Sequence, residues 1–392
     1  MNNPEFEDIH PRRGTGALKY DALAERYGNP DLLPLWVADM DFDTPSFIVE
    51  ALKKRLEHPV FGYTVVPEEL WESIRSWNKK LHGWDIKREW LTFIPGIVKG
   101  IGMAINVFTR PGDKIIIQPP VYHPFRLVPE GNEREVVYNP LIEQPDGTYK
   151  MDTAHLEKIA KEEKAAMLIL SNPHNPAGIV WDRQTLEEVA RICSENDVLV
   201  ISDEIHSDMA LWKNRHIPFA SVSEQAASCS ITFGAPSKTF NIAGIVSSYS
   251  VVPDENIRRK FYGWIDANEF SEPTIFAPIA TIAAYTKGYD WRCRMLEYVQ
   301  GNIDFLIEYC EEKLPVIKPL RPQASFLVWL DCRQMNLPQK ELVEFFVQKC
   351  GLALNDGAMF GPGGEGFMRL NVGTTRQILA ESLRRIELAL HS

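Results

Sequence analysis

The sequence predicts an α/β fold: a mostly parallel sheet covered by helices on both faces, followed by a smaller α/β unit. Three observations carry this. Short apolar runs are bounded by turn or polar residues, segments of helical spacing lie between them, and one long amphipathic stretch leads to a second strand–helix–strand set. The runs "KIII" (114–117), "AAMLIL" (165–170), "VLVIS" (198–202) and "SIT" (230–232) are too short for buried helices and read as buried strands. Between them, "DTAHLEKIAKEEK" (152–164) and "DRQTLEEVARICSEN" (182–196) repeat apolar residues at three and four, behind Asp152 and Asp182 as N-caps. Alternating strands and helices of this length give a parallel sheet covered on both faces. Upstream, "IPGIVKGIGMAINVF" (94–108) reads as a helix entered through a Pro95–Gly96 turn. A long helix over about 290–314 places Leu296, Val299, Ile303, Leu306, Cys310 and Leu314 on one face. The smaller unit then follows, with strand "SFLVWL" (325–330), helix "QKELVEFFVQKC" (339–350) and strand "GFMRLN" (366–371).

Composition excludes several function classes. The 392 residues carry a formal net charge of −11 and no long basic run, which argues against nucleic acid as a partner. The N-terminus, "MNNPEFEDIH", lacks a basic region followed by an apolar one, and no apolar run approaches the roughly 20 residues of a membrane span. Six scattered cysteines, without C-x-x-C spacing, argue for reduced thiols and a cytoplasmic protein.

The chemistry-bearing residues stand just beyond the strands: Tyr122 after the first run, Asn175 after the second, Asp203 and His206 after the third, Lys238 after the fourth. In an open parallel sheet those ends share one edge, where ligands bind. A lysine, a carboxylate, an amide and a phenol gathered there suit pyridoxal 5′-phosphate (PLP). Its aldehyde needs an amine, its ring nitrogen a carboxylate and its phosphate N–H donors. The free amides near Gly96, Ile97 and Val98 at the start of the 94–108 helix suit the phosphate.

The motifs "SNPHNPAG", "SDEIHSD" and "PSKTFNIAG", in that order, resemble the fold-type I PLP enzymes of the class I/II aminotransferase superfamily across nearly the whole chain. Within it, "PLWVADMDF" (34–42), "GYT" (62–64) and "DEIHSD" resemble the cystathionine β-lyase branch, the PatB/MalY-like carbon–sulfur lyases. The resemblance implies roles: Lys238 bonds the cofactor's aldehyde and removes the substrate's Cα proton, Asp203 pairs with the ring nitrogen, and Asn175 donates to the phenolic oxygen. It further implies that Tyr122 stacks on the ring, that Arg369 in "FMRLN" binds the substrate carboxylate, and that Tyr63 reaches the neighbouring subunit's phosphate in a homodimer. The implied division is a large PLP-binding domain over 46–285 and a small domain from 1–45 and 286–392.

Departures qualify the likeness. Where many aminotransferases read "SKTFNIAGLR", the arginine position here is Val246, a frequent serine three before the lysine is Ala235, and a usual tyrosine after the aspartate is His206. Phosphate binding would then rest on backbone amides, Ser237 and Tyr63. The pattern favours β-elimination from L-cystathionine or a related cysteine conjugate. An aminotransferase, or a regulatory module with weak lyase activity, stands as the alternative.

Two further motifs fail their context. "GPGGEG" (361–366) satisfies G-x-G-x-x-G but precedes a strand, and reads as a turn near the substrate entrance. "DMDFDTPSFIVE" (39–50) has calcium-loop spacing but Thr44 where glycine is needed; Thr44-Pro45 reads better as the N-cap and first residue of a helix.

Overall fold

The computed structural model describes residues 4–8 and 10–391. Seven strands form the large sheet: β1 (Leu91–Ile94), β2 (Lys114–Ile117), β3 (Glu135–Tyr138), β4 (Met167–Ser171), β5 (Leu199–Asp203), β6 (Ser230–Gly234) and β7 (Ser248–Val251). Their order is β1-β7-β6-β5-β4-β2-β3, and only β7 runs opposite to the other six.

Strand pleating divides the apolar runs between two cores. Met167 and Ile169 join Ile201 and Phe233 on one face, against Ile97, Ile101 and Ile105 of a helix at Ile97–Phe108. Leu168, Leu170 and Val200 turn to the other, against Leu156 of α1 (Thr153–Glu162) and Leu186 and Val189 of α2 (Arg183–Glu195). Both helices start as the sequence predicts: the carboxylate of Asp152 accepts from His155 N–H at 2.9 Å and that of Asp182 from Thr185 N–H at 2.8 Å.

The long helix, α3 (Tyr289–Lys313), buries Leu296, Val299, Ile303, Leu306 and Cys310 and leads to an antiparallel sheet of four strands. In that sheet β8 (Lys318–Pro319), β9 (Leu327–Asp331), β10 (Asn355–Asp356) and β11 (Phe367–Asn371) lie in the order β8-β9-β11-β10. A third core runs from Phe6 through Trp77 and Tyr285 to Leu370 and Ile386, so the two sheets share apolar packing.

Two local expectations are corrected. The helix after Thr44-Pro45 spans Ser46–Leu56 with Pro45 at its cap, because the Thr44 hydroxyl donates instead to the Asn241 carbonyl at 3.1 Å. The 339–350 helix is regular only over Gln339–Glu344 and closes as a π-turn at Phe345–Lys349, which keeps both Phe345 and Phe346 buried.

Candidate active site

The parallel strands β2, β4, β5 and β6 end on one edge, and a cavity of about 300 Å³ opens there, within the size range of small-molecule sites. It is lined by Tyr122, Ser171, Asn175, Asp203, His206, Ser237 and Lys238. Pro95, Gly96, Ile97, Val98 and Lys99 close one end. Nine of the ten residues singled out from the sequence are therefore in the cavity or one contact from it: Arg369 reaches it through Asn175, and Tyr63 alone stands apart, fully exposed.

Lys238 follows β6 by a short turn, and its ammonium donates to the Ala38 carbonyl at 2.6 Å. Burial lowers its pKa to about 8, while the nearby carboxylates of Asp39 and Asp203 and the cation of Arg369 act as smaller influences. Asp203, the last residue of β5, is pushed up to about 7 by burial; the Ile205 N–H at 3.1 Å and the charge of Lys238 offset this only in part. A buried carboxyl with so little donor support gains most from a cationic N–H placed against it.

Asn175 spends its side-chain oxygen on Arg369 at 3.0 Å, which leaves its amide N–H groups to donate into the cavity. Its carbonyl accepts from the Tyr122 N–H at 3.1 Å, tying the ring of Tyr122 to the same wall. Arg369 is buried, bonds Asn355 at 2.6 Å, lies over the Phe360 ring at 4.9 Å and has no partner at Nε. Burial depresses its pKa to about 10. His206 lines the cavity with Nδ1 unpartnered; burial, then the charges of Lys238 and Arg369, lower it to about 3, so it is neutral at neutral pH.

The helix Ile97–Phe108 presents its first N–H groups to the cavity, with Gly96 at φ +108°, a conformation L side chains rarely adopt. Val246 stands beside this end: a Cβ added to Gly96 would lie 3.9 Å from Val246 Cγ1. Val246 itself is left-handed at φ +54°. An apolar residue thus occupies the place where many aminotransferases carry an arginine.

These donors and acceptors fit PLP: an amine, a cation-seeking carboxyl, an amide donor, an aromatic face and a helix start for the phosphate. Sequence reasoning missed Lys99, Ser247, Ser248 and Ala38, which line the same cavity. Lys99 has a signal in retrospect, since it stands in the first turn of the Ile97–Phe108 helix; Ala38 has none, because its role is played by a backbone carbonyl.

The chain is similar to known proteins over nearly its whole length. Cystathionine beta-lyase PatB of Bacillus subtilis (strain 168) is 42% identical over 98% of this chain and 99% of its own length. Protein MalY of Escherichia coli (strain K12) is 32% identical, covering 97% of each chain. The crystal structure of cystalysin from Treponema denticola, which contains a pyridoxal 5′-phosphate cofactor, matches at a TM-score of 0.95 and 34% identity over 98% of both chains. With the aminotransferase class I and II profile matching residues 30–386 as well, the chain belongs to the class I and II aminotransferase family.

Proposed function

We propose that the protein is a PLP-dependent carbon–sulfur lyase that eliminates the β-thiolate of L-cystathionine or a related cysteine conjugate, giving a thiol, pyruvate and ammonia. The observation that carries it is the gathering of Lys238, Asp203, Asn175 and Tyr122 around one cavity, in a chain 42% identical to a cystathionine beta-lyase. When bound, PLP supplies an aldehyde for the substrate amine and a ring that accepts electrons from Cα.

The chain's own residues do the rest. Asp203 would hold the proton of the ring nitrogen, Asn175 would donate to the phenolic oxygen, and Tyr122 would offer its ring as a stacking face. The N–H groups of Ile97 and Val98, with Ser237, would hold the phosphate, and His206 offers a neutral imidazole to the same cavity. The fork of Arg369 binds the substrate α-carboxylate bidentately. Lys238, its basicity already reduced by burial, takes the Cα proton. Departure of the β-thiolate then completes the elimination, and water converts the three-carbon fragment to pyruvate and ammonia.

Two coarser expectations extend this reading. The six cysteines are all free thiols, which supports a reducing compartment such as the cytoplasm. No helix among the described residues is long and apolar enough to cross a membrane. We also place the working unit as a homodimer in which Tyr63 completes the partner's phosphate site, with 46–285 as the large domain and 1–45 plus 286–392 as the small one.

The test is product formation from L-cystathionine by the PLP-loaded protein, with and without 2-oxoglutarate. The lyase reading predicts sustained pyruvate release that needs no oxo acid. Amino-group exchange confined to samples with the oxo acid would instead make the protein an aminotransferase.

A further inference from the structure

Behind Asp203 lies a second acid, Glu204, buried and outside the cavity. Its carboxylate is fully engaged. Oε1 accepts from Ser202 Oγ and from the Phe219 N–H, each at 2.8 Å, and more distantly from Asn172 Nδ2 at 3.4 Å. Oε2 meets His216 Nε2 at 2.8 Å.

The backbone around it is tied as closely. Glu204 N–H donates to the Phe233 carbonyl on β6 at 2.9 Å, and Asn172, just past β4, donates its N–H to the Asp203 carbonyl at 2.9 Å. Glu204, next after β5, therefore meets β6 through its N–H and the end of β4 through Asn172 Nδ2 at 3.4 Å, while Asp203 supplies the shorter backbone tie to β4. Those ends carry Asn175, Asp203 with His206, and Lys238. His216 is braced in turn: its ring meets that of His82 edge-on at 5.1 Å, and Asp208 bonds His82 at 3.1 Å and Trp77 Nε1 at 2.9 Å.

A buried carboxylate is expensive to desolvate, and apolar residues of similar volume often serve packing equally well. Holding strands together does not need one. What a carboxylate adds is several directional acceptors at fixed angles; here they tie the ends of β4 and β5, which feed the cavity, to the 216–219 segment outside it.

We propose that Glu204 is a positioning residue, whose clamp with Ser202, His216, Asn172 and Phe219 sets the placement of Asp203, Asn175 and Lys238 relative to one another. The inference rests on the PLP reading of the cavity, since the placement matters through the groups those three residues address.

The experiment compares PLP-loaded wild type with Glu204→Ala, Glu204→Gln and Ser202→Ala. The measured quantities are the pH midpoint of the cofactor's visible absorption, KM and kcat for L-cystathionine, and the thermal midpoint. Glu204→Ala is expected to move the absorption midpoint by about half a unit or more and to lower kcat about tenfold or more with little change in KM. Glu204→Gln keeps an acceptor for Ser202 and Phe219 and is expected to recover most of kcat; Ser202→Ala is expected to fall between them.

A Glu204→Ala protein that melts earlier but keeps the wild-type absorption midpoint and kcat would overturn the proposal and leave Glu204 a stability residue. Should that variant not fold, Ser202→Ala decides, and an unmoved midpoint there overturns it. Wild type with no visible band would overturn the cofactor reading and the clamp together, whereas a band present in wild type and unmoved in the variants would overturn the clamp alone.

Discussion

Asp203 and Lys238 are shifted in opposite senses by the same burial, and each shift has a consequence for the cofactor-free protein. Asp203 titrates near 7 in the folded chain against about 4 when unfolded. The folded state then holds a proton that the unfolded state has lost, so this group's contribution to stability is full below about pH 4 and is lost as pH rises to about 7. Asp203→Asn is expected to flatten that fall, as read from urea midpoints across the window. Lys238 behaves conversely: with a folded value of about 8 against about 10.4 unfolded, its contribution rises over that interval. With Arg369 proposed as the binder of the substrate carboxylate, Arg369→Lys removes the bidentate fork and is expected to raise KM about tenfold or more with a smaller change in kcat, since charged hydrogen bonds are worth about 1.5–3 kcal/mol each; an unchanged KM would place the carboxylate elsewhere. Lys238, Asp203 and Asn175 were legible in the sequence because each belongs to a distinctive motif at the end of an apolar run: Asp203 closes its strand, and the other two lie in the turns beyond theirs. The Ala38 carbonyl was not, because it comes from 200 residues away in the chain.

The helices explain why most elements were readable and some strands were not. Where a carboxylate caps a helix, residue type and position alone mark the start; Asp182→Ala is expected to lower stability by about 1 kcal/mol and leave turnover unchanged, measured by denaturant unfolding beside a pyruvate assay. Strands β1, β3 and β7 escaped the reading for different reasons. β7 alternates buried Ser248 and Ser250 with Tyr249 and Val251, so no apolar run marks it. β3 is an edge strand paired only with β2, and its residues are exposed or half-buried. β1 is four residues long and pairs only with the antiparallel β7. At the start of the Ile97–Phe108 helix, which is proposed to hold the phosphate, Gly96→Val would force a β-branched residue to φ +108°. PLP affinity measured by absorbance titration is expected to fall in that variant.

In a single copy of the whole molecule, the segment before the helix at Glu68–His82 is conspicuous. Val60, Phe61, Tyr63 and Val65 are 62%, 54%, 107% and 91% exposed, a concentration of apolar and aromatic surface that suits burial against a second copy. The homodimer reading predicts that Tyr63→Ala and Lys238→Ala proteins, each impaired alone, regain activity after unfolding and refolding as a mixture, because hybrids carry one site with both native residues. Failure to regain activity, although hybrids form, would contradict the shared site. Sequence alone pointed to this segment only through its resemblance to relatives; the exposure of Tyr63 adds a physical reason.

The most direct test of the central claim follows thiol and pyruvate together in PLP-loaded wild type and Lys238→Ala given L-cystathionine and no oxo acid. Equal amounts of both products are expected from wild type over many turnovers, and none above background from the variant. Comparable turnover by Lys238→Ala, or thiol without pyruvate from wild type, would contradict β-elimination centred on Lys238.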